Sequence, residues 1–326
     1  MTDKQGGPLL RLAGLNSSQL PAATASPEEL RPFITALLAE AVPFIDTAAP
    51  RAADFTDPAV PAPPASNTLW KAKGTKSFPE SAAKIDLSER VVGGGSAKDG
   101  PQPPPPPETW ACRRSVHADE AHKGTASWAE FADCMRDRHA ETEDAFTPTV
   151  LAHRAAVTWD AAAAATAPTV EVDGVTWGRF GLSLLEMKHK IPPPLKPRVF
   201  PVLQLVASAV PGGGDGGGAG AQQQQRDEFV VVSVTVPDLA TGPLKESASL
   251  SAEKGVVVGA YVSVERVRRL PRQGEDNGKI EWVMATASDA KGILPMFLQT
   301  KAVPGQIAKD VGMFLGWIDK ERGKKG

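Results

Sequence analysis

Apolar and polar positions along this chain repeat with two periods, and the change between them marks the elements. Val303, Ile307, Val311, Phe314 and Ile318 recur at steps of four, four, three and four, which puts one apolar stripe along a helix opening near Pro295 and running to the end of the chain. Lys309, Lys320, Arg322, Lys324 and Lys325 lie off that stripe or past its end, where the helix dipole favours cations. Pro304 is expected to kink or restart this helix. An earlier helix opens at Ser26-Pro27-Glu28-Glu29, a cap with proline at the first position and acids in the first turn. It buries Leu30, Phe33, Ile34, Leu37, Leu38 and Ala41 and runs to about Ile45.

Between the two helices the period falls to two, the mark of half-buried strands. Strands are predicted over 69–74, 85–92, 109–117, 175–189, 198–206, 229–236, 256–270 and 280–287. Two shorter helices are expected between the third and fourth of these, over 125–135 and from Glu141 towards Ala152. The order is helix, strands, two helices, a meander of about five strands and a long last helix. A stripe as apolar as that of the last helix, following a series of strands, predicts an α+β fold with the helix laid across the concave face of a curved antiparallel sheet. The close Gly312 and Gly316 are expected to let it pack tightly on a strand.

Composition divides the 326 residues unevenly, because the 30 glycines and 30 prolines cluster. Residues 1–26 read as a loosely ordered segment and 27–321 as one domain. That domain carries low-complexity insertions at 47–66, 93–107 and 211–227, and a basic tail follows at 322–326. A net charge of −2 provides no field that would draw the chain to nucleic acid. Cys112 and Cys134 fit no metal spacing and belong with a reduced compartment, and the five histidines form no metal spacing either. The first residues lack a basic run followed by an apolar one, and no stretch of 18 apolar residues occurs. A cytoplasmic monomer without metal or cofactor is expected.

Several stretches are similar to a known family. Pro197-Arg198-Val199-Phe200 resembles the Arg-Asp-Phe-Val strand start of START domains, the lipid-transfer domains related to the steroidogenic acute regulatory protein, although Val199 stands where the acid is usual. Ser288 to Pro295, SDAKGILP, resembles the Asp-x-x-Gly-x-x-Pro approach to their last helix. TWACRRSVH, GTASWAEF, HAETEDAFTPTV, IPPPLKPRVFPVLQ, GAYVSVERVR, EWVMATASDAKGILP and AVPGQIAKDV resemble more closely a fungal START-like family known only as domain of unknown function 3074. The resemblance spans about residues 27–321. It implies the helix-grip fold and a lipid or other hydrophobic small molecule held between the sheet and the last helix, with binding and transfer rather than catalysis. Transient contact with a membrane surface would accompany that role. It names neither ligand nor reaction.

The cavity so implied would be lined by Phe180, Leu182, Leu184, Val232, Val234, Val262, Val264, Trp282, Met284, Phe314 and Ile318, unless these side chains fill it as a solid core. Glu186 continues the series 180, 182, 184, and Arg266 continues 258, 260, 262, 264. Both charges are therefore expected to point inward, as a mutual pair or as an anchor for a polar head, unless each lies where its strand emerges into solvent. Two other function classes stay open. A polyketide cyclase-like enzyme needs an acid and a base inside the cavity, and Glu186 and His189, three apart on one strand, face opposite sides. A ligand-free interaction module needs an exposed apolar patch.

Overall fold

The computed structural model describes residues 9–50, 69–93, 106–159, 169–211, 227–271, 278–292 and 296–325. Helix α1 (Pro27–Ala48) starts where the sequence sets its cap. The Ser26 hydroxyl accepts from the Glu29 amide at 3.3 Å while the Glu29 carboxylate accepts from the Ser26 amide at 2.7 Å. Strands β1 (Lys71–Lys76), β2 (Ile85–Val92) and β3 (Glu108–Ala118) follow, then α2 (Trp128–Phe131), a widened turn at Ala132–Asp137, and α3 (His139–Phe146). The second short helix is shorter than expected. Thr147 precedes Pro148 and is extended, as a residue before proline prefers, so the chain leaves the helix for strand β4 (Val150–Thr158).

A hairpin of β5 (Val170–Val172) and β6 (Val175–His189) leads to β7 (Arg198–Ala209), β8 (Glu228–Thr235), the short β9 (Val257–Val258), β10 (Ala260–Leu270) and β11 (Lys279–Asp289). Helix α4 (Met296–Lys325) closes the chain and runs through Pro304 as one element. The strands form one sheet in the order β1-β2-β3-β11-β10-β8-β7-β6-β4, with β5 beside β6. Every pairing is antiparallel except that of β7 with β9. The sheet is large and curved and α4 lies against it, which is the helix-grip arrangement.

Each strand in the middle of the sheet is buried on both sides, and its alternation sorts residues between two helices. Val230, Val232 and Val234 of β8, with Val262 and Val264 of β10, pack with Leu30, Ile34, Leu37 and Phe44 of α1. Their neighbours Phe229, Val231 and Val267 pack with Val311, Phe314 and Ile318 of α4. Phe314 is fully buried, its ring 5.4 Å from Phe131, 5.6 Å from Trp282 and 5.9 Å from Phe146. Gly312 and Gly316 do allow close approach, though to the β1–β2 turn and not to a strand. A Cβ on either would come within 3.0 Å of Phe78 or Glu80.

Two boundary expectations change. Residues 9–25, expected to be loosely held, are pinned to the fold: Leu10 and Leu15 are buried, the Glu40 carboxylate accepts from the amides of Leu9 and Leu10, and Asp238 accepts from the Ser17 amide and hydroxyl. The expected basic tail is helical to Lys325. Its Arg322 donates to both oxygens of Glu130 and to the carbonyls of His122 and Thr125, tying the end of α4 to the cap of α2. The insertions at 47–66, 93–107 and 211–227, and Pro295, lie outside the described residues apart from a few flanking positions.

Phe314→Ala removes an aromatic side chain from a filled cluster and is expected to cost about 3–5 kcal/mol, whereas Lys309→Ala, on the exposed face, leaves the denaturation midpoint almost unchanged. Equal shifts from the two substitutions would contradict this assignment of faces.

Candidate functional site

The thirteen residues expected around one cavity divide between opposite faces of the sheet. Phe180, Leu182, Leu184, Val232, Val234, Val262 and Val264 belong to the core under α1 and cannot line a space beneath α4. Trp282, Phe314 and Ile318 are together on the α4 side, and Met284, two residues from Trp282 on β11, shares that side. The physical reason is parity: α1 presents the wider apolar face and takes the more apolar alternate set of β8 and β10.

Glu186 and Arg266 both point inward, as their registers implied, and each is fully buried. They do not pair. The Glu186 carboxylate accepts from the amides of Ser249 (3.0 Å), Leu250 (3.2 Å) and Ser251 (2.7 Å) and from the Ser251 hydroxyl, with Arg154 at 3.3 Å. Burial works against its charge, but these donors together hold its carboxyl below the usual range. Its role is to anchor the 245–253 loop. Arg266 bridges elements instead: it donates to Asp46 and to the Ala49 carbonyl at the end of α1, and lies 3.4 Å from Glu281. Glu281 also takes Arg268 and Arg114, each at 2.7 Å, and Arg268 donates to the Pro50 carbonyl. The expected anchor for a ligand head is therefore a clamp for α1.

The α4 side holds a different polar group, of which sequence reasoning singled out only Trp282, as a lining residue. Arg113 of β3, 2% exposed, donates to Glu265 of β10 at 2.9 Å and lies over the Trp282 ring at 3.9 Å. Its Nε and Nη1 make no hydrogen bond. The same Glu265 oxygen accepts from Trp282 Nε1 at 2.5 Å, and the other lies 3.9 Å from His139 Nε2. Facing them from α4 is Asp310, pushed up to about 7 by burial, with Glu143 and Glu265 adding to the shift and Arg113 opposing it. Tyr261, two residues before Ser263 on β10, is shifted upward mainly by burial. Asp310, Tyr261 and Met284 all keep some accessible surface. Nearby His117 is buried and held neutral, lowered to about 3 by burial and by Arg113. One signal could have found the acid: Asp310 lies three residues after Ile307 and four before Phe314, on the apolar stripe itself.

A family profile described as "Protein of unknown function (DUF3074)" matches residues 110–318. The chain belongs to this family. The DUF3074 span takes in β3 to α4, and with them Arg113, Glu265 and Asp310, while α1 and Asp46 lie outside it. No curated protein matches. Among solved structures, human StAR-related lipid transfer protein 5 is similar at 12% identity and a TM-score of 0.47, covering 90% of this chain and 96% of its own. Human STARD10 has 13% identity and a TM-score of 0.44, with 80% and 77% covered. The human StarD13 (DLC2) lipid transfer and protein localization domain has 11% and 0.40, with 76% and 88% covered.

Among the described residues no group of three histidine, cysteine or acidic side chains is placed to hold a metal ion. An open groove of about 410 Å³ lies between the N-terminal segment and α1, beside Leu20, Pro21 and Phe33, away from the α4 side.

Glu186 and Arg266 lie on strands separated by β7 and β8, about 14 Å at sheet spacing. Arg266→Met, which strands buried acids, is expected to cost about 3–5 kcal/mol, and Glu186→Gln about 1–3 kcal/mol. The double variant should be additive within about 0.5 kcal/mol. A larger coupling in denaturation measurements would restore the pair. Asp310 gives a pH prediction. Its carboxyl is raised in the folded state, so its contribution to stability is present below the unfolded value near 4 and is lost as pH rises through about 7. Asp310→Asn should raise the thermal midpoint more at pH 8 than at pH 5, and the reverse order would contradict the assignment.

Proposed function

We propose that this DUF3074 protein binds a hydrophobic small molecule between the sheet and α4, without catalysis. The observation that carries this reading is the combination of deep desolvation and retained surface at Asp310 and Tyr261. An internal space beside these two side chains accounts for both observations. Met284, half-buried on the same face, borders it, while Phe314 with Phe131 and Trp282 closes the end towards the terminus of α4. The site residues proposed are accordingly Met284 and Trp282 of the original set, joined by Tyr261, Asp310 and Arg113.

No helix among the described residues is long and apolar enough to cross a membrane. A lipid ligand reaches such a site from a membrane surface, so transient contact with one, and transfer between two, extend the same proposal.

Purified protein extracted with organic solvent should yield an apolar molecule near one equivalent by mass spectrometry. Met284→Trp, which fills space beside Glu265, its partner across the β10–β11 ladder, should reduce the bound fraction about tenfold, equivalent to 1.4 kcal/mol, with the thermal midpoint little changed. Protein that carries no ligand and binds none of a panel of sterols, fatty alcohols, fatty acids and phospholipids would overturn the proposal.

A further inference from the structure

The polar group under α4 has an uneven charge balance. From β3 comes one guanidinium, Arg113. From β10, α3 and α4 come the carboxyls of Glu265, Glu143 and Asp310, all acting electrostatically on the same place. Glu265 already neutralises Arg113 and receives the Trp282 indole as well. Arg113 nevertheless keeps two buried donors, Nε and Nη1, without an acceptor. A buried N–H left unpaired is costly, so these donors mark a place where an oxygen belongs.

We propose that Arg113, Glu265 and Asp310 form the subsite for the polar end of the bound molecule, and that it takes an uncharged oxygen, a hydroxyl or a carbonyl, and rejects a carboxylate. This rests on the ligand-binding reading above. An uncharged oxygen satisfies the Arg113 donors without adding charge. A carboxylate would be the fourth acid around one guanidinium in a desolvated site, where like charges repel most strongly.

The Asp310 carboxyl, titrating near 7 under the influence of Arg113, Glu143 and Glu265, with the His139 imidazole of α3 set 3.9 Å behind Glu265, makes the discrimination depend on pH. Below 7 it is neutral, can donate to a carbonyl, and adds little repulsion. Above 7 it is an acceptor for a ligand hydroxyl and a further obstacle to an anion. Tyr261 stays protonated throughout this range and does not contribute to the change.

The test uses the full chain and two probes of equal length, a pyrene-labelled long-chain alcohol and the matching pyrene-labelled acid, titrated by fluorescence at pH 6 and pH 8. The alcohol is expected to bind at least about tenfold more tightly than the acid at pH 8, with the preference smaller at pH 6. Asp310→Asn should raise acid affinity at pH 8 and remove most of the pH dependence, leaving the alcohol within about threefold of wild type. Arg113→Met combined with Glu265→Gln, which leaves neither charge stranded, should weaken the alcohol severalfold and spare an unsubstituted pyrene-labelled alkane. Equal binding of alcohol and acid at pH 8, or an Asp310→Asn protein with unchanged preference and pH profile, overturns the subsite while leaving the ligand-binding reading intact. Failure of all three probes to bind overturns both.

Discussion

The central strands of this sheet have no solvent-facing side, and nearly every feature of the molecule follows from that. An antiparallel sheet with one face in water alternates apolar with polar, but here β8, β10 and β11 must satisfy a helix on each face. β8 is buried at every position from Glu228 to Thr235. Its even residues meet α1 and its odd residues meet α4. A slip of one residue would exchange the two cores, and the faces differ enough to forbid it: the α1 side receives valines and leucines, the α4 side aromatic rings with serines, Glu265 and Arg113.

The same constraint explains the buried charges under α1. The last turn of that helix ends over strands whose inward residues are no longer apolar, and Arg266 and Arg268 reach its final carbonyls at Ala49 and Pro50. Glu281 then serves three guanidinium groups at once. Burial and Arg266 together lower Arg268 to about 10, so the cluster is held under electrostatic tension and relieved by Glu281, Glu228 and the carbonyl ends of α1. Replacing such a network by apolar side chains is often neutral for stability. Its physical effect here is positional: it fixes where α1 stops and which strands it crosses.

Element types and order were legible because their signals are local. The Ser26 cap, the 3.6-residue stripe of α4 and the two-residue alternation of β6 and β10 each need only a short window of sequence. Faces were not legible. Val262 and Val264 look as suited to one helix as to the other, and only the tertiary competition between α1 and α4 assigns them. Strand β4 was missed for a related reason: at an edge, its residues from Leu151 to Val157 are all exposed or half-buried and show no alternation. The proposed site residues Arg113 and Glu265 sit beside Arg114 and Arg266, in runs of mixed charge, and which member of each run turns towards α4 is again a question of parity.

Asp310 brings these points to one place. Its stripe could have carried another apolar residue, since the next turn shows how completely Phe314, Phe131 and Trp282 can fill the layer. Instead the chain sets an acid there, opposite a guanidinium with two idle donors, at a cost of about 1–3 kcal/mol for each unpaired buried group. A filled core would lower its energy by losing both. An internal space that accepts a polar end reverses the comparison, because the same groups then recover their hydrogen bonds on binding, and the differential appears as affinity. On the proposed reading, the polar patch and the retained surface around it share one physical explanation, on the face of the sheet that α4 covers.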